Sequence, residues 1–400
     1  MALPPVVGLE IGTTKTVALV GEWREDNHVN IIGIGEQESA GIRKSQIVDF
    51  EKVCAGIRSV LGTAEERSDV SIGEVMLAVD GARIRVDVNR GMVPVLDKSG
   101  EITQDDIEQV MDVASAVNLG SDREIIHTVN QHFYIDDSER VINPEGLRGA
   151  RLSLDMLVFH GSRNGLGNML RAAESRQIDV QDMVFSGLCS ALAVLTTEQK
   201  QSGVAVIDIG GGTTDYVVYL HGIVRTAGVF SLGGDHITND IAYAFNIPMK
   251  QAERIKREYG SARVNDDDGT EKVKIAAEVG FAGCEINRKA LNQVINARTD
   301  EMLRKVEREL QREGVIHQLG AGVVLTGGCA NLDGLCAIGE NVYGMPCSVG
   351  SPRNFVGLNL ATAGPEYASA CGLVQYGFRI AQEEKVTSGV SGWFKGLLGQ

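Results

Sequence analysis

Residues 203–222 read GVAVIDIGGGTTDYVVYLHG, and the rest of the chain is best understood from this stretch. Val204–Ile207 and Tyr216–Leu220 are runs of Val, Ile and Tyr with little polar interruption, the pattern of paired strands buried on both faces. The turn between them is polar and bare. Gly210, Gly211 and Gly212 let the backbone approach a ligand closely and adopt positive φ, while backbone N–H groups and the hydroxyls of Thr213 and Thr214 can face phosphate oxygens. Asp208, closing the incoming strand, repels phosphate but suits Mg²⁺ or its waters. By itself the turn is equally compatible with a tight glycine-rich hairpin, because short glycine motifs recur by chance.

A second copy shifts that balance. Val6–Gly21 reads VVGLEIGTTKTVALVG, in which Glu10-Ile11-Gly12-Thr13-Thr14 repeats Asp208-Ile209-Gly210 and Thr213-Thr214 with two glycines omitted. Lys15 takes the place of Asp215 and offers a cation to phosphate. The separation is too long for a solenoid period. It implies two related halves, each giving a strand, a carboxylate and a hydroxyl-rich turn to one metal–phosphate group. A third piece, GVVLTGGCAN at Gly322–Asn331, is a buried strand ending in Thr326-Gly327-Gly328, a shelf for a flat base. Neither glycine cluster has the spacing of a dinucleotide fingerprint, so a Rossmann reading fails.

Composition bounds the alternatives. Four hundred residues with 43% hydrophobic content imply a folded chain of more than one domain, and a net charge of −15 argues against a nucleic-acid surface. The seven cysteines, at 54, 189, 284, 329, 336, 347 and 371, form no C-x-x-C pair and read as reduced core thiols. MALPPVVGLEIG has no basic n-region, so no secretion signal is expected, and no run of about 18 apolar residues suggests a membrane span.

Along the chain, Glu51–Leu61 reads as a helix and Glu74–Val79 as a buried strand, the alternation of an α/β sheet. At about residue 81 the texture changes. Ile84–Val95 alternates and is charged, Thr103 opens a helix with Ile107, Val110, Met111, Ala114 and Val117 on one face, and strands follow to His160. This reads as a small α/β subdomain inserted over residues 81–162. Asn164–Gln177 reads as a helix, and Val184–Leu195 as a strand end entering another. Further helices are expected at Ile237–Phe245, Gln251–Tyr259, Ile286–Ile295, Thr299–Arg312 and Glu366–Ile380. Glu253 and Lys256, at i and i+3, form an ordinary solvated ion pair on spacing alone. Asn265-Asp266-Asp267-Asp268-Gly269 lacks the ligand spacing of an EF-hand and reads as a solvated turn. Val390, Trp393, Phe394, Leu397 and Leu398 form one apolar stripe after a polar connector, Gln382–Gly389. Such a stripe either docks on the body or lies in a membrane interface.

The three glycine motifs, in this order, resemble the actin-like ATPase superfamily, and DMVFSGLCSALAVL (182–195), TNDIAYAF (238–245), QAERIKREYG (251–260) and WFKGLL (393–398) are most similar to its FtsA branch of bacterial cell-division proteins. The resemblance covers nearly the whole chain. It implies a two-lobed actin-like fold of duplicated ribonuclease-H-like domains with an inserted α/β subdomain. The implied layout is a first lobe at 1–80 and 163–200 around the insertion, and a second at 201–248 and 316–380. A subdomain at 249–315, a linker at 381–389 and a membrane-targeting helix at 390–400 complete it.

The resemblance also implies ATP and Mg²⁺ as cofactors. Glu10 and Asp208 would manage the metal, Gly12–Lys15 and Gly210–Thr214 the phosphates, Gly327 and Gly328 the nucleoside, and Glu253 and Lys256 the ribose and adenine. The position that orients the attacking water in active hydrolases of the superfamily falls near Gly187 and is bare, so hydrolysis is expected to be slow. Implied partners are the C-terminal tail of tubulin-like FtsZ, for which Arg288 and Arg298 are candidate contacts, further copies of the chain in a polymer, later division proteins, and an anionic membrane surface. The expected place is the cytoplasmic face of the membrane at the division site. Phosphotransferase, filament and pilus-adaptor readings of the same fold are the alternatives. A sugar kinase needs a substrate pocket with a carboxylate base beside the γ-phosphate, and no such acid is read outside the nucleotide motifs, while a chaperone needs a client domain after the last fold helix.

Overall fold

The duplicated hairpins become the centres of two sheets with the same plan. The computed structural model describes residues 3–24, 28–81, 83–138, 140–265, 269–357 and 363–387. The first lobe opens with β1 (Val6–Ile11), β2 (Lys15–Trp23), β3 (Val29–Glu38), the short pair β4 (Ile42–Arg43) and β5 (Gln46–Ile47), α1 (Phe50–Ser68) and β6 (Glu74–Val79). After an insertion it resumes with α3 (Arg163–Ala173), β11 (Asp179–Phe185) and α4 (Ser186–Val194). The insertion itself holds β7 (Arg85–Pro94), α2 (Gln104–Ser115), β8 (Arg123–Ile135), β9 (Arg140–Val141) and β10 (Arg151–Ser162).

The second lobe contains α5 (Thr197–Ser202), β12 (Val204–Ile209), β13 (Thr214–Leu220), β14 (Ile223–Phe230), α6 (Gly234–Phe245) and α7 (Met249–Tyr259). It continues with β15 (Lys272–Ile275), β16 (Cys284–Asn287), α8 (Arg288–Arg312), β17 (Val323–Thr326), α9 (Leu335–Tyr343) and β18 (Cys347–Val349). The chain then returns to the first sheet through β19 (Phe355–Val356) and ends its described part in α10 (Ala368–Thr387).

The first sheet has the order β11-β6-β1-β2-β3-β19 and the second β14-β13-β12-β17-β18. In each, the central strand pairs antiparallel with the strand that follows it and parallel with a later one, β1 with β2 and β6, β12 with β13 and β17. Burial on both faces explains the apolar runs: alternate residues of β12 and β13 enter two different cores, Val204, Val206, Val217 and Tyr219 one and Ala205, Ile207, Tyr216 and Val218 the other. The insertion is a four-stranded sheet, β7-β10-β8-β9, covered by α2. Thr103 caps α2 in a reciprocal box with Asp106, and Ile107, Val110 and Ala114 face a separate core with Phe133, Leu152 and Leu154.

Two helices depart from the pattern read in the sequence. Ile286–Ile295 and Thr299–Arg312 are not two helices but parts of one strand and one 25-residue helix, α8. Ile286 belongs to β16, and Asn287 caps the helix by accepting from the Ala290 N–H at 3.1 Å. The apolar stripe lapses at Thr299, yet that residue is buried and its hydroxyl bonds back to the Ile295 carbonyl at 2.8 Å, so the helix continues through it. The last helix, expected to end at Ile380, runs to Thr387, since Gln382, Glu383, Glu384 and Lys385 favour helix after the apolar pattern stops.

α4 and α10 cross where the lobes meet. A side chain at Gly372 would overlap the Cys189 carbonyl, so glycine is what lets the two backbones touch. Around this crossing Leu188, Ala191, Leu373, Val374 and Phe378 are buried, each large side chain contributing about 1.5–3 kcal/mol by its removal from water.

Candidate functional site

The two hairpin turns face each other across the cleft between the lobes. In the first, Ile11 pairs with Thr16; in the second, Ile209 pairs with Thr214, so each turn has the same length, Gly12–Lys15 and Gly210–Thr213. Each closes with the same bond, Gly12 N–H to the Lys15 carbonyl and Gly210 N–H to the Thr213 carbonyl, both 3.0 Å. The copies therefore correspond without a gap. Lys15 matches Thr213 rather than Asp215, and Asp215 matches Val17; the two glycines that looked omitted are replaced by Thr13 and Thr14.

None of Gly210, Gly211 and Gly212 has positive φ, so close approach alone demands glycine here. A Cβ on Gly211 would overlap Thr14 Oγ1, and one on Gly212 would lie 2.5 Å from Thr13 Oγ1. The start of α6 holds the second turn from behind, with Gly234 N–H donating to the Gly210 carbonyl at 2.9 Å and Asp235 N–H to the Gly211 carbonyl at 2.8 Å.

Among the acids that line a cavity of about 660 Å³, Glu10, Asp80, Asp208 and Asp215 gather behind these turns. Ser190 Oγ donates to Asp208 at 2.5 Å, and Ser186 Oγ donates to Asp215 at 2.6 Å. Asp80 accepts from Ser45 Oγ at 2.9 Å and, across the cleft, from Thr213 Oγ1. Burial, more than the neighbouring acids, pushes Glu10 up to about 7 even though Lys15 opposes it, and pushes Asp208 up to about 6. Asp215 lies well above the carboxylate range for the same reason, with Asp80 and Asp208 adding to the effect. Burial also lowers Lys15, against the pull of Glu10 and Glu36. Its Nζ sits 3.2 Å above the Tyr367 ring and 3.8 Å from Glu36.

Glu10 Oε2, Asp215 Oδ1 and Lys15 Nζ are buried without a hydrogen-bond partner. Orphaned acid oxygens beside an orphaned ammonium in a polar cleft fit a ligand that carries both cation and anion, as a metal–phosphate does. Among the described residues no three His, Cys, Asp or Glu side chains are arranged to hold one ion directly. That suits Mg²⁺, which keeps several waters and takes only one or two protein carboxylates.

Beyond the carboxylates the cavity opens toward α7 and the end of β17. Gly327 has φ +82°, and a side chain there would overlap Asp208. A Cβ on Gly328 would meet nothing closer than Glu366, at 4.0 Å, which leaves an open face. Glu253 and Lys256 line this end together with Tyr259 and Cys329. Their pair is not a solvated one: Lys256 is buried, lies 2.6 Å from Glu253, and donates to the Gly234 carbonyl at 3.1 Å and Thr238 Oγ1 at 2.9 Å. Burial would raise Glu253, but Lys256, Thr238 and Arg257 outweigh it and leave the acid below its ordinary value.

The structure does not bring Arg288 and Arg298 together. Both are on α8, ten residues and roughly 15 Å apart on different faces. Arg288 lines the cavity mouth and pairs with Glu271. Arg298 grips Asp240 of α6 with Nε and an Nη at 2.6 and 3.0 Å and also reaches Glu301. Val390, Trp393, Phe394, Leu397 and Leu398 lie outside the described residues, as do Asp266, Asp267 and Asp268. Sequence reasoning missed Asp80, Ser45, Ser186 and Tyr367 and passed over Asp215 as a ligand. The available signal for Asp80 was its position directly after a buried strand, β6, which runs parallel to β1.

Two family models match the chain, "Cell division protein FtsA" over residues 205–372 and "SHS2 domain inserted in FTSA" over residues 81–160. The curated cell division protein FtsA of Escherichia coli (strain K12) is 36% identical over 405 residues, covering 98% of this chain and 96% of the relative. The chain belongs to the FtsA family of cell-division proteins. The FtsA protein of Pseudomonas aeruginosa is 34% identical over 97% of this chain and 92% of its own length. Among solved structures, a chain of the PilM–PilN type IV pilus biogenesis complex aligns with a TM-score of 0.66 at 15% identity, covering 93% of this chain and 98% of that one. MreB5 of Spiroplasma citri bound to ADP aligns at 0.57 and 14% identity, covering 96% and 99%. These likenesses bear out the actin-like two-lobed fold, and the second family model bears out the inserted α/β subdomain.

Proposed function

We propose that the cleft binds ATP with Mg²⁺, and that the nucleotide sets the conformation and self-assembly of a protein that tethers FtsZ filaments to the cytoplasmic face of the membrane. The observation that carries the nucleotide part is the facing of two equal turns across a carboxylate cluster with orphaned oxygens and an orphaned ammonium. MreB5 of Spiroplasma citri, of the same fold, has been solved with ADP and with AMPPNP. The N–H groups of Gly12–Lys15 and Gly210–Thr213 and the hydroxyls of Thr13 and Thr14 face the phosphates, with Lys15 Nζ as the cation among them. Thr214, expected from the sequence to join them, is instead buried with its hydroxyl donated to the Leu232 carbonyl at 2.8 Å, and the Thr213 hydroxyl is donated to Asp80. Glu10 and Asp208 hold the metal's waters. Mg²⁺, when bound, supplies positive charge between carboxylate and phosphate oxygens. Gly327 and Gly328 give the nucleoside a bare surface, and the Glu253–Lys256 pair meets the ribose and adenine.

Hydrolysis is slow in this reading. Ser186 stands at the start of α4, where an attacking water is oriented in related folds, but its hydroxyl is committed to Asp215. Burial, with Asp80 and Asp208 nearby, raises Asp215 well above the ordinary carboxylate value. The site thus reports nucleotide state rather than turning it over rapidly.

Tethering rests on family membership and on the apolar stripe Val390, Trp393, Phe394, Leu397 and Leu398. A single stripe with one lysine binds an anionic surface weakly, and copies on a polymer bind through effective concentration. An acidic FtsZ tail would compete with Glu271 and Asp240 for Arg288 and Arg298. Liposome flotation of the intact chain and of one ending at Gly389, with ATP, with ADP and without nucleotide, tests the whole. The intact chain floats best in ATP, carries added FtsZ with it, and loses flotation on truncation. Equal flotation of the two chains would overturn the tether.

A further inference from the structure

The inserted sheet and the second lobe meet at a seam with its own small cavity. Gln131 of β8 is buried there, and its Nε2 donates to the carbonyls of Val224 and Arg225 on β14, both at 2.8 Å, which fixes the two backbones against each other. Beside this bond lies a cavity of about 120 Å³. His132 and Arg140 reach it from the insertion, His221 and Arg225 from the β13–β14 hairpin, and Glu313 and Gln318 from the segment after α8, with two aliphatic side chains completing the wall.

The charge here runs against the rest of the molecule. The chain carries a net −15, yet two arginines and two imidazoles converge on this cavity with a single acid. That acid, Glu313, already pairs with Arg312 at 3.3 Å. Among the described residues neither Arg140 nor Arg225 has an ion pair. Burial, and then Arg140, Arg225 and His221 around it, hold His132 below the ordinary imidazole range against the opposing pull of Asp155. The hairpin turn is also unusual. His221 and Gly222 both have positive φ, +54° and +83°, a conformation that favours Asn-Gly, and His221 is held in it at the cavity wall.

We propose that this seam binds a small oxyanion of the phosphate class, bridging the inserted subdomain to the second lobe. Guanidinium groups match phosphate oxygens in a planar fork and remain charged at any physiological pH. The cavity has room for a few waters of roughly 30 Å³ each and is far smaller than the roughly 300–1,000 Å³ of an ordinary ligand site, so it selects a compact group. Its cations come from both units. An anion there binds only when they are apposed, and so favours that arrangement over a parted one.

Calorimetric titration of the full chain with inorganic phosphate, and separately with glycerol 3-phosphate, tests this. Phosphate is expected to bind saturably at one seam site per chain. That component persists in Lys15→Ala, which removes the cation of the large cleft, and in the surface control Lys250→Ala. It weakens about tenfold or more in Arg140→Ala and in Arg225→Ala, as loss of a charge-assisted bond requires. Binding of both probes identifies a site open to phosphate monoesters, and binding of phosphate alone a site closed around the free ion. Absence of saturable binding, or binding that both arginine variants leave intact, overturns the proposal. The arginines are on separate elements, so if one variant does not fold the other decides.

Discussion

Alanine at Gly211 would drive its Cβ into Thr14 Oγ1, and the two turns could no longer close on each other. Gly211→Ala is therefore expected to weaken ATP binding by about tenfold or more, read by a fluorescent analogue, while lowering stability by only about 1 kcal/mol, because the turn can swing outward into the cleft. The Glu10 carboxyl leads to a pH prediction. Its folded value of about 7 exceeds the ordinary 4.5, so between these the folded protein holds a proton that the unfolded chain has released. Stability falls as pH rises through that window and then levels. The shift corresponds to about 3 kcal/mol, which screening by the open cleft trims to roughly 1–2 kcal/mol. Glu10→Gln should thus melt higher than the parent at about pH 8 without nucleotide, with the difference vanishing near pH 4.5; equal melts at high pH would show the acid is not strained. At this scale the sequence was only partly legible. Glu10 and Asp208 stood out because a motif repeats around them, whereas Asp80 sits in VDGAR with no motif, and only parallel pairing of β6 with β1 brings it to the cleft. The matching Thr-Thr pairs also misled, since letters were aligned where the hairpin register aligns positions.

Helix α8 shows what a lapse in apolar pattern does and does not mean. Thr299 broke the stripe, but counted as a buried residue it completes Leu291, Ile295, Thr299, Met302, Val306 and Leu310, a regular helical face. A hydroxyl that satisfies itself on the preceding turn looks polar in sequence and behaves as core in the fold. Most other elements were legible because a cap or a parallel-strand run marked them, as Thr103 marks α2. The continuity of α8 makes Arg298 a clamp between helices as well as a candidate tail contact. A double-mutant cycle on Arg298→Ala and Asp240→Ala is expected to give a coupling of about 1 kcal/mol in denaturant unfolding, the size of a bidentate pair with side chains about a quarter exposed. A coupling near zero would leave Arg298 free for a partner. Gly372→Val should be far worse. Its side chain would enter the Cys189 backbone where α4 and α10 cross, and overpacking against an immovable carbonyl is expected to cost about 3 kcal/mol or more in the same assay.

At the scale of the whole molecule, the first core runs on into one face of the second sheet through Val204, Val206, Val217 and Tyr219, and hydrogen bonds between the lobes add to that packing. Ser190 and Ser186 of α4 reach Asp208 and Asp215 of the second lobe, Thr326 Oγ1 donates to the Pro365 carbonyl just before α10, and Thr213 donates to Asp80 of the first lobe. The first three join the second lobe to α4 and to the segment before α10, and would form the hinge side of any opening of the cleft. The fourth joins the second turn to the residue after β6, and in the proposed nucleotide reading it would act as a latch on the phosphate region. A hydrogen bond to a carboxylate is worth about 1.5–3 kcal/mol. Removing it by Thr213→Val, which keeps the side-chain volume, should speed release of a fluorescent ATP analogue by about tenfold in stopped flow. Ser186→Ala, at the hinge side, should leave release within about twofold, because it does not stand in the exit path. Equal acceleration by the two variants would mean that nucleotide exchange follows general loosening of the lobes and not the opening of one latch.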